Sequence, residues 1–141
     1  MRKEDCVFCD FKDKEVIIHE DELSYSIISK QPVNKYHVLV IPKEHYEDFI
    51  ELPDNLVTNI FLAAKKLSAA VRETCEPDAI HHISDDDISK AGFNGIRHYK
   101  LHIIPRFSND DVRINWNREA DPGIVTRSKL AKEVQIHLKR D

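Results

Sequence analysis

Glycine is nearly missing, with three residues in a chain of 141. That excludes a glycine-rich phosphate-cradling loop and a low-complexity or linker-like chain. Cysteine is as rare, at three residues, and an odd, small number cannot close a disulfide framework. No long hydrophobic run exists. The longest stretch free of Asp, Glu, Lys and Arg is Asn55 to Ala64, well short of the ~20 apolar residues that a membrane-spanning helix needs. The leading MRKEDCVFCD has no apolar stretch of signal-peptide length, so reduced thiols and a cytoplasmic location are expected. Positive charge is in deficit. With 21 Lys and Arg against 25 Asp and Glu, the formal charge is −4, which disfavours a generic electrostatic nucleic-acid binder.

What is present suits one soluble core. Apolar residues make up 41% and charged residues 33%, enough for a single domain without staples. No internal repeat or Ser/Gly-rich linker breaks the chain. Val16 to Ile18 reads as a strand, followed by a polar turn and an alternating run from Leu23 to Ser29. Leu23, Tyr25 and Ile27 share one face there, and Ser24 and Ser26 the other. His37 to Ile41 is β-rich and ends at Pro42. The segment KEHYEDFIEL predicts a turn with a short helix. From Pro53-Asp54 to Cys75, the positions Leu56, Ile60, Ala63, Ala64, Leu67 and Val71 recur every three or four residues. This predicts an amphipathic helix packed on the sheet.

Ala79 to Ser84 and His98 to Ile104 predict two further strands, the second stopping at Pro105. Val112 to Trp116 is a candidate short strand. Thr126 to Lys139 predicts a terminal helix with Leu130, Val134 and His137 or Leu138 on one face. Two consecutive β-runs at the start favour an α+β fold with an antiparallel sheet over alternating βα units.

Three constellations stand out. Cys6-Val7-Phe8-Cys9 is a C-x-x-C. Two thiolates at this spacing grip one face of a tetrahedral zinc ion, or form a redox dithiol. The pair precedes all regular structure, which favours zinc, with the remaining ligands to come from the eight histidines. Cys75, at the apolar end of the long helix, reads as a small core residue. Next, His98, Lys100 and His102 alternate along one predicted strand, so all three share a face. Three such groups in line call for water, a metal or an anion. Finally, Asp85-Asp86-Asp87 reads as a solvated loop, with a cation site as the functional reading. The basic positions Arg127, Lys129, Lys132, Lys139 and Arg140 read as a solvated face.

Together these segments resemble the histidine triad family, closest to its bacterial zinc-containing branch. The matching stretches are Cys6 to Cys9, HVLVIPKEH from His37 to His45, Lys90-Ala91-Gly92, and HYKLHIIPR from His98 to Arg106. The resemblance implies a histidine-triad-like fold: an antiparallel sheet of about five strands, one long helix and a C-terminal helix. It also implies a single domain over 1–141 with an N-terminal zinc-binding arm, paired as a homodimer. Family members bind nucleotides. Active ones are hydrolases or nucleotidyl transferases acting on phosphoramidates, dinucleoside polyphosphates or nucleotide sugars. The zinc branch's ligands map onto Cys6, Cys9, His45 and His98, a closed structural site with one zinc per chain.

The resemblance departs at its centre. The family's triad runs His-φ-His-φ-His-φ-φ (φ apolar), and its central histidine attacks the α-phosphate. Here that position is Lys100, between His98 and His102. The ribose-binding Asp position falls on Ser29, the Gly before the first conserved histidine, His37, falls on Tyr36, and the phosphate-contacting Gln-Ser falls on Asn94 and Gly95. A lysine amine is neutral in roughly one molecule in two thousand at pH 7, and an alkyl amine leaves phosphorus less readily than protonated imidazole. The expectation is a zinc protein that binds a nucleotide or other phosphate ligand, with Lys100, His102 and His37 at its centre and hydrolysis impaired. Two alternatives stand beside it: an enzyme of altered mechanism, and a non-catalytic interaction domain.

Overall fold

The computed structural model describes residues 2–86, 92 and 94–138. Asp87, Lys90, Ala91, Lys139 and Arg140, singled out above, lie outside the described residues. Two compact units make up the chain, Met1–Asp111 and Val112–Asp141. The first holds a five-stranded antiparallel sheet of β1 (Ile17–Glu20), β2 (Ser24–Ile28), β3 (Val38–Pro42), β4 (Ala79–Ser84) and β5 (Leu101–Arg106). Their order across the sheet is β1-β2-β3-β5-β4. A helix, α1 (Asp54–Cys75), joins the two halves. The fold is α+β, as expected.

Helix α1 buries Leu56, Ile60, Ala63, Ala64, Leu67 and Val71, the same six positions that the three- and four-residue spacing selects. They cluster with Val38, Val40, Leu101 and Ile103 of the sheet and with Tyr99 just before β5. Each fully buried Leu, Ile or Val there contributes about 1.5–3 kcal/mol relative to exposure. The helix stops where Glu76 turns left-handed (φ 47°) and donates its N–H to the Arg72 carbonyl. Pro77 then prevents continuation.

The opposite face of the sheet is covered as well. Residues Cys6, Phe8 and Cys9 of the N-terminal arm pack on Tyr25, Ile27, Leu39 and Ile41, with Phe11, Val16 and Ile17 around them. The sheet is therefore buried on both sides. Ser24 and Ser26, read from the sequence as the polar face of β2, are fully buried on the α1 side. Ser24 Oγ donates to Asn59 Oδ1 of α1 at 2.6 Å.

Several elements differ from the expectations, β1 and the terminal helix by one or two residues at their ends. Strand β5 begins at Leu101, because the ladders to β3 and to β4 both end at that residue. His98, Tyr99 and Lys100 lie beyond the end of β4, and beside β3 they leave the ladder, with the Tyr99 N–H donating to the Tyr46 carbonyl instead. Pro105 lies inside β5, opposite Ile80, where the pairing with β3 has already ended at Ile103 and no ladder bond is lost. Val112 to Trp116 forms no strand.

In the second unit, α2 spans Ile124–His137 and buries no residue. Leu130, Val134 and Leu138 of the expected stripe are all exposed. Among the described residues, no helix is long and apolar enough to cross a membrane.

Candidate metal centre and the adjoining histidine–lysine site

Strand alternation decides what this site contains. His37 has the parity of Leu39 and Ile41, and His102 stands opposite Leu39, so both imidazoles lie on the sheet face under the arm. His98 and Lys100 follow the same parity just before β5. The face that calls for water, a metal or an anion is closed over, and its His98 joins a cluster that could hold a metal ion. His37 is 3% exposed, His98 1%, Lys100 5% and His102 8%.

The arm brings the first cluster together. Ligand atoms of Cys6, Cys9, His45 and His98 all lie within 4.8 Å of one another. His98 Nδ1 sits 3.3 Å from Cys6 Sγ and 3.6 Å from Cys9 Sγ, and His45 Nδ1 lies 3.4 Å from Cys9 Sγ. Both rings turn the same nitrogen inward. Their outer nitrogens are held: His98 Nε2 donates to the Pro42 carbonyl at 2.8 Å, and His45 Nε2 faces Glu47 Oε1 at 3.5 Å. Outer partners of this kind fix the ring and leave the other nitrogen free to coordinate. The Lys3 N–H donates to Cys9 Sγ at 3.3 Å. Two sulfurs and two imidazole nitrogens, converging and mostly buried, fit a closed tetrahedral metal site. Burial pushes the Cys9 thiol up and His98 down to about 4. A metal would draw off the thiol protons, and its affinity falls as pH falls.

The second cluster is a directional chain of hydrogen bonds. The Val33 N–H donates to His37 Nδ1 at 3.0 Å, so that nitrogen carries no proton. His37 Nε2–H then donates to His102 Nδ1 at 3.0 Å. His102 Nε2–H in turn donates to Asn94 Oδ1 at 2.9 Å. The Asn94 amide is oriented by its own donation to the Asp85 carbonyl at 2.8 Å. Both imidazoles are thereby neutral Nε2–H tautomers. Burial pushes each down to about 4.

Lys100 lies between the clusters. Its Nζ donates to the Ile96 carbonyl at 2.9 Å and sits 5.4 Å from the centre of the Phe8 ring. Burial pulls its pKa down to about 8, against the opposing charges of Asp85 and Cys6. Gly95 is exposed beside Asn94. Ser29 joins through its backbone, its N–H donating to the His37 carbonyl at 2.9 Å.

Of the residues that build this site, the sequence left Phe8 without a role and gave Asp85 a different one. The Phe8 ring, between the two cysteines, packs edge-on against His98 at 5.8 Å, and the Tyr25 hydroxyl donates to its carbonyl at 2.7 Å. Asp85, read as part of a solvated loop, is half-buried and accepts the Asn94 N–H at 3.2 Å. Only Phe8 had a signal: an aromatic residue inside the C-x-x-C.

Acid should destabilise this site in a defined window. His37 and His102 sit at about 4 in the fold against ~6.5 unfolded. The unfolded chain therefore binds more protons between those values. Stability is full above about pH 6.5 and is lost as pH falls toward 4, by up to about 1.4 kcal/mol per pH unit for each imidazole. Urea midpoints measured from pH 7 to 4.5 should fall, and the slope should be shallower in His102→Gln. A flat profile would contradict the neutral pair.

Comparison with known proteins agrees with this geometry. The HIT domain family model matches residues 11–109. A Bacillus subtilis relative, protein hit, is 34% identical over 122 residues, covering 84% of this chain and 83% of its own. A crystal structure of a HIT family member from Bacillus subtilis superposes with TM-score 0.84 at 26% identity, covering 98% of this chain and all of that one. A zinc-bound histidine triad family protein from Mycobacterium smegmatis superposes with TM-score 0.68 at 28% identity, covering 94% of this chain and 97% of that one.

Proposed function

Because the chain belongs to the HIT domain family, we propose that it is a zinc protein of the family's bacterial zinc-containing branch that binds a nucleotide or other phosphate ligand without hydrolysing it efficiently. The observation that carries this reading is the pairing of a complete four-ligand cluster with a buried Lys100 flanked by His98 and His102. Cys6, Cys9, His45 and His98 would hold the zinc, whose chemistry here is structural, since four protein ligands leave no open position. The zinc-bound Mycobacterium smegmatis relative supports the choice of metal.

Lys100, His102 and His37 would form the centre of the phosphate site. A protonated Lys100 attracts phosphate as a point charge. His102 presents an N–H donor, and Asn94, Gly95 and Ser29 line the approach. Lys100 replaces the nucleophilic histidine, so the covalent nucleotidyl-histidine step is lost while binding is retained. The whole chain, 1–141, acts as one histidine-triad-like domain and pairs as a homodimer. Exposed Phe61 and Leu62 on α1 support a pairing surface.

A second reading has one observation in its favour. Burial lowers Lys100 to about 8, which raises its neutral fraction at pH 7 to roughly one in ten and supports a lysine nucleophile in an enzyme of altered mechanism.

Binding is tested by thermal shift with AMP, ADP and inorganic phosphate. At a hundredfold excess over Kd the stabilisation should reach about 2.7 kcal/mol, a rise in Tm of roughly 5–10 °C. No shift with any of the three would favour the interaction-domain alternative.

A further inference from the structure

The proton order of the His37–His102 pair is set by the Val33 N–H, which makes the loop before β3 part of the site. That loop is held in an unfavourable shape. Tyr36 is left-handed, with φ 68°, a conformation that non-glycine residues adopt only when their surroundings impose it. The His37 N–H donates to the Asn34 carbonyl at 3.1 Å, closing the turn.

One side chain fastens the turn to the rest of the molecule. Asn34 Nδ2 donates to the Pro105 carbonyl and to Asp110 Oδ2, both at 2.9 Å. Pro105 belongs to β5, the strand that carries His102. Asp110 is itself immobilised. Arg106 donates to both its oxygens, Nε to Oδ2 at 2.8 Å and a terminal nitrogen to Oδ1 at 3.0 Å. The Phe107 N–H donates to Oδ2 at 3.0 Å. Asn34 thus ties the loop that orients His37 to the strand that holds His102, across 71 residues of sequence.

We propose that Asn34 is a positioning residue: by bridging Pro105 and Asp110 it holds Tyr36 in its left-handed turn, aims the Val33 N–H at His37 Nδ1, and so fixes both His37 and His102 as Nε2–H tautomers. The consequence is functional. His102 is committed to offering a donor, not an acceptor, at the end that now meets Asn94. Without the bridge, Tyr36 relaxes toward an ordinary backbone region, the Val33 N–H moves off, and His37 is free to carry its proton on either nitrogen. The pair then loses its direction, although neither imidazole has been altered.

The test reads imidazole nitrogens directly, by long-range 1H–15N correlation of the metal-loaded full chain with no ligand added. It therefore stands whether or not a phosphate ligand binds. Wild type should show protonated Nε2 and unprotonated Nδ1 in both His37 and His102. In Asn34→Ala the His37 signals should split or average between the two tautomers in comparable population, while the His45 and His98 signals stay in place. Adding Tyr36→Gly to that variant gives a residue that adopts the left-handed turn unaided, and the wild-type pattern should return. If Asn34→Ala does not fold, Asn34→Ser, which keeps one short donor, takes its place in the same comparison. The proposal is overturned if the Asn34 variant keeps the wild-type pattern, if wild-type His37 carries its proton on Nδ1, or if the glycine fails to restore the order.

Discussion

Replacing Lys100 with histidine should raise hydrolysis of an adenosine phosphoramidate by at least about a hundredfold over wild type. The two side chains differ in what they do after attack as well as before. A neutral imidazole is available near pH 7, since its unperturbed pKa is ~6.5. It also leaves phosphorus readily once protonated, so the covalent intermediate turns over. A lysine adduct is a stable phosphoramidate with a poor leaving group. Positioned proton-transfer and nucleophilic groups typically contribute 10²–10⁴-fold, which sets the scale. The neighbours of Lys100 are ordered: His102 is held by His37 and Asn94, and His98, two residues before Lys100, belongs to the candidate metal cluster. The variant is checked by initial rates at equal metal content. No gain in a folded, metal-loaded Lys100→His protein would contradict the proposal that Lys100 is what limits hydrolysis.

Cys9→Ser should cost the protein its zinc and much of its stability together. Elemental analysis should fall from about one zinc per chain to a small fraction of that, because three ligands no longer close the tetrahedron. The arm residues Cys6, Phe8 and Cys9 form one apolar cluster with Tyr25, Ile27, Leu39 and Ile41. Releasing the metal therefore loosens the cover over the sheet and the ring that Lys100 lies against. Removing one partner from a buried charged pair costs about 3–5 kcal/mol, and a metal–thiolate bond lost from a buried cluster belongs on the same scale. For a chain of this size that corresponds to a Tm lower by roughly 10 °C. A metal-free wild type of unchanged Tm would remove zinc from the account.

The elements that the sequence discloses are those whose pattern has one physical cause. The α1 stripe is legible because one face meets the sheet and the other meets water, and all six apolar positions are found buried. The four converging metal ligands come from separate segments, and it is family resemblance, not spacing, that joins His45 and His98 to the C-x-x-C. Burial of both sheet faces is not legible. Ser24 and Ser26 look polar in sequence, yet lie inside on the α1 side, where Ser24 donates to Asn59; His98, Lys100 and His102 are buried on the other side of the sheet, the side that carries the N-terminal arm. The start of β5 is missed because β4 ends opposite Leu101 and the Tyr99 N–H is taken by the Tyr46 carbonyl, partners that tertiary structure supplies. Asp85 gives no local sign of its role, since its partner Asn94 is brought to it by tertiary structure.

The most direct measurement is 31P NMR of an adenosine phosphoramidate mixed with stoichiometric, zinc-matched wild type and with Lys100→Ala. The phosphorus resonance should shift and broaden with wild type, far less with Lys100→Ala, and the compound should survive intact with both. Appearance of cleaved nucleotide with wild type but not with Lys100→Ala would contradict the proposed function, and would make Lys100 the nucleophile of a working enzyme.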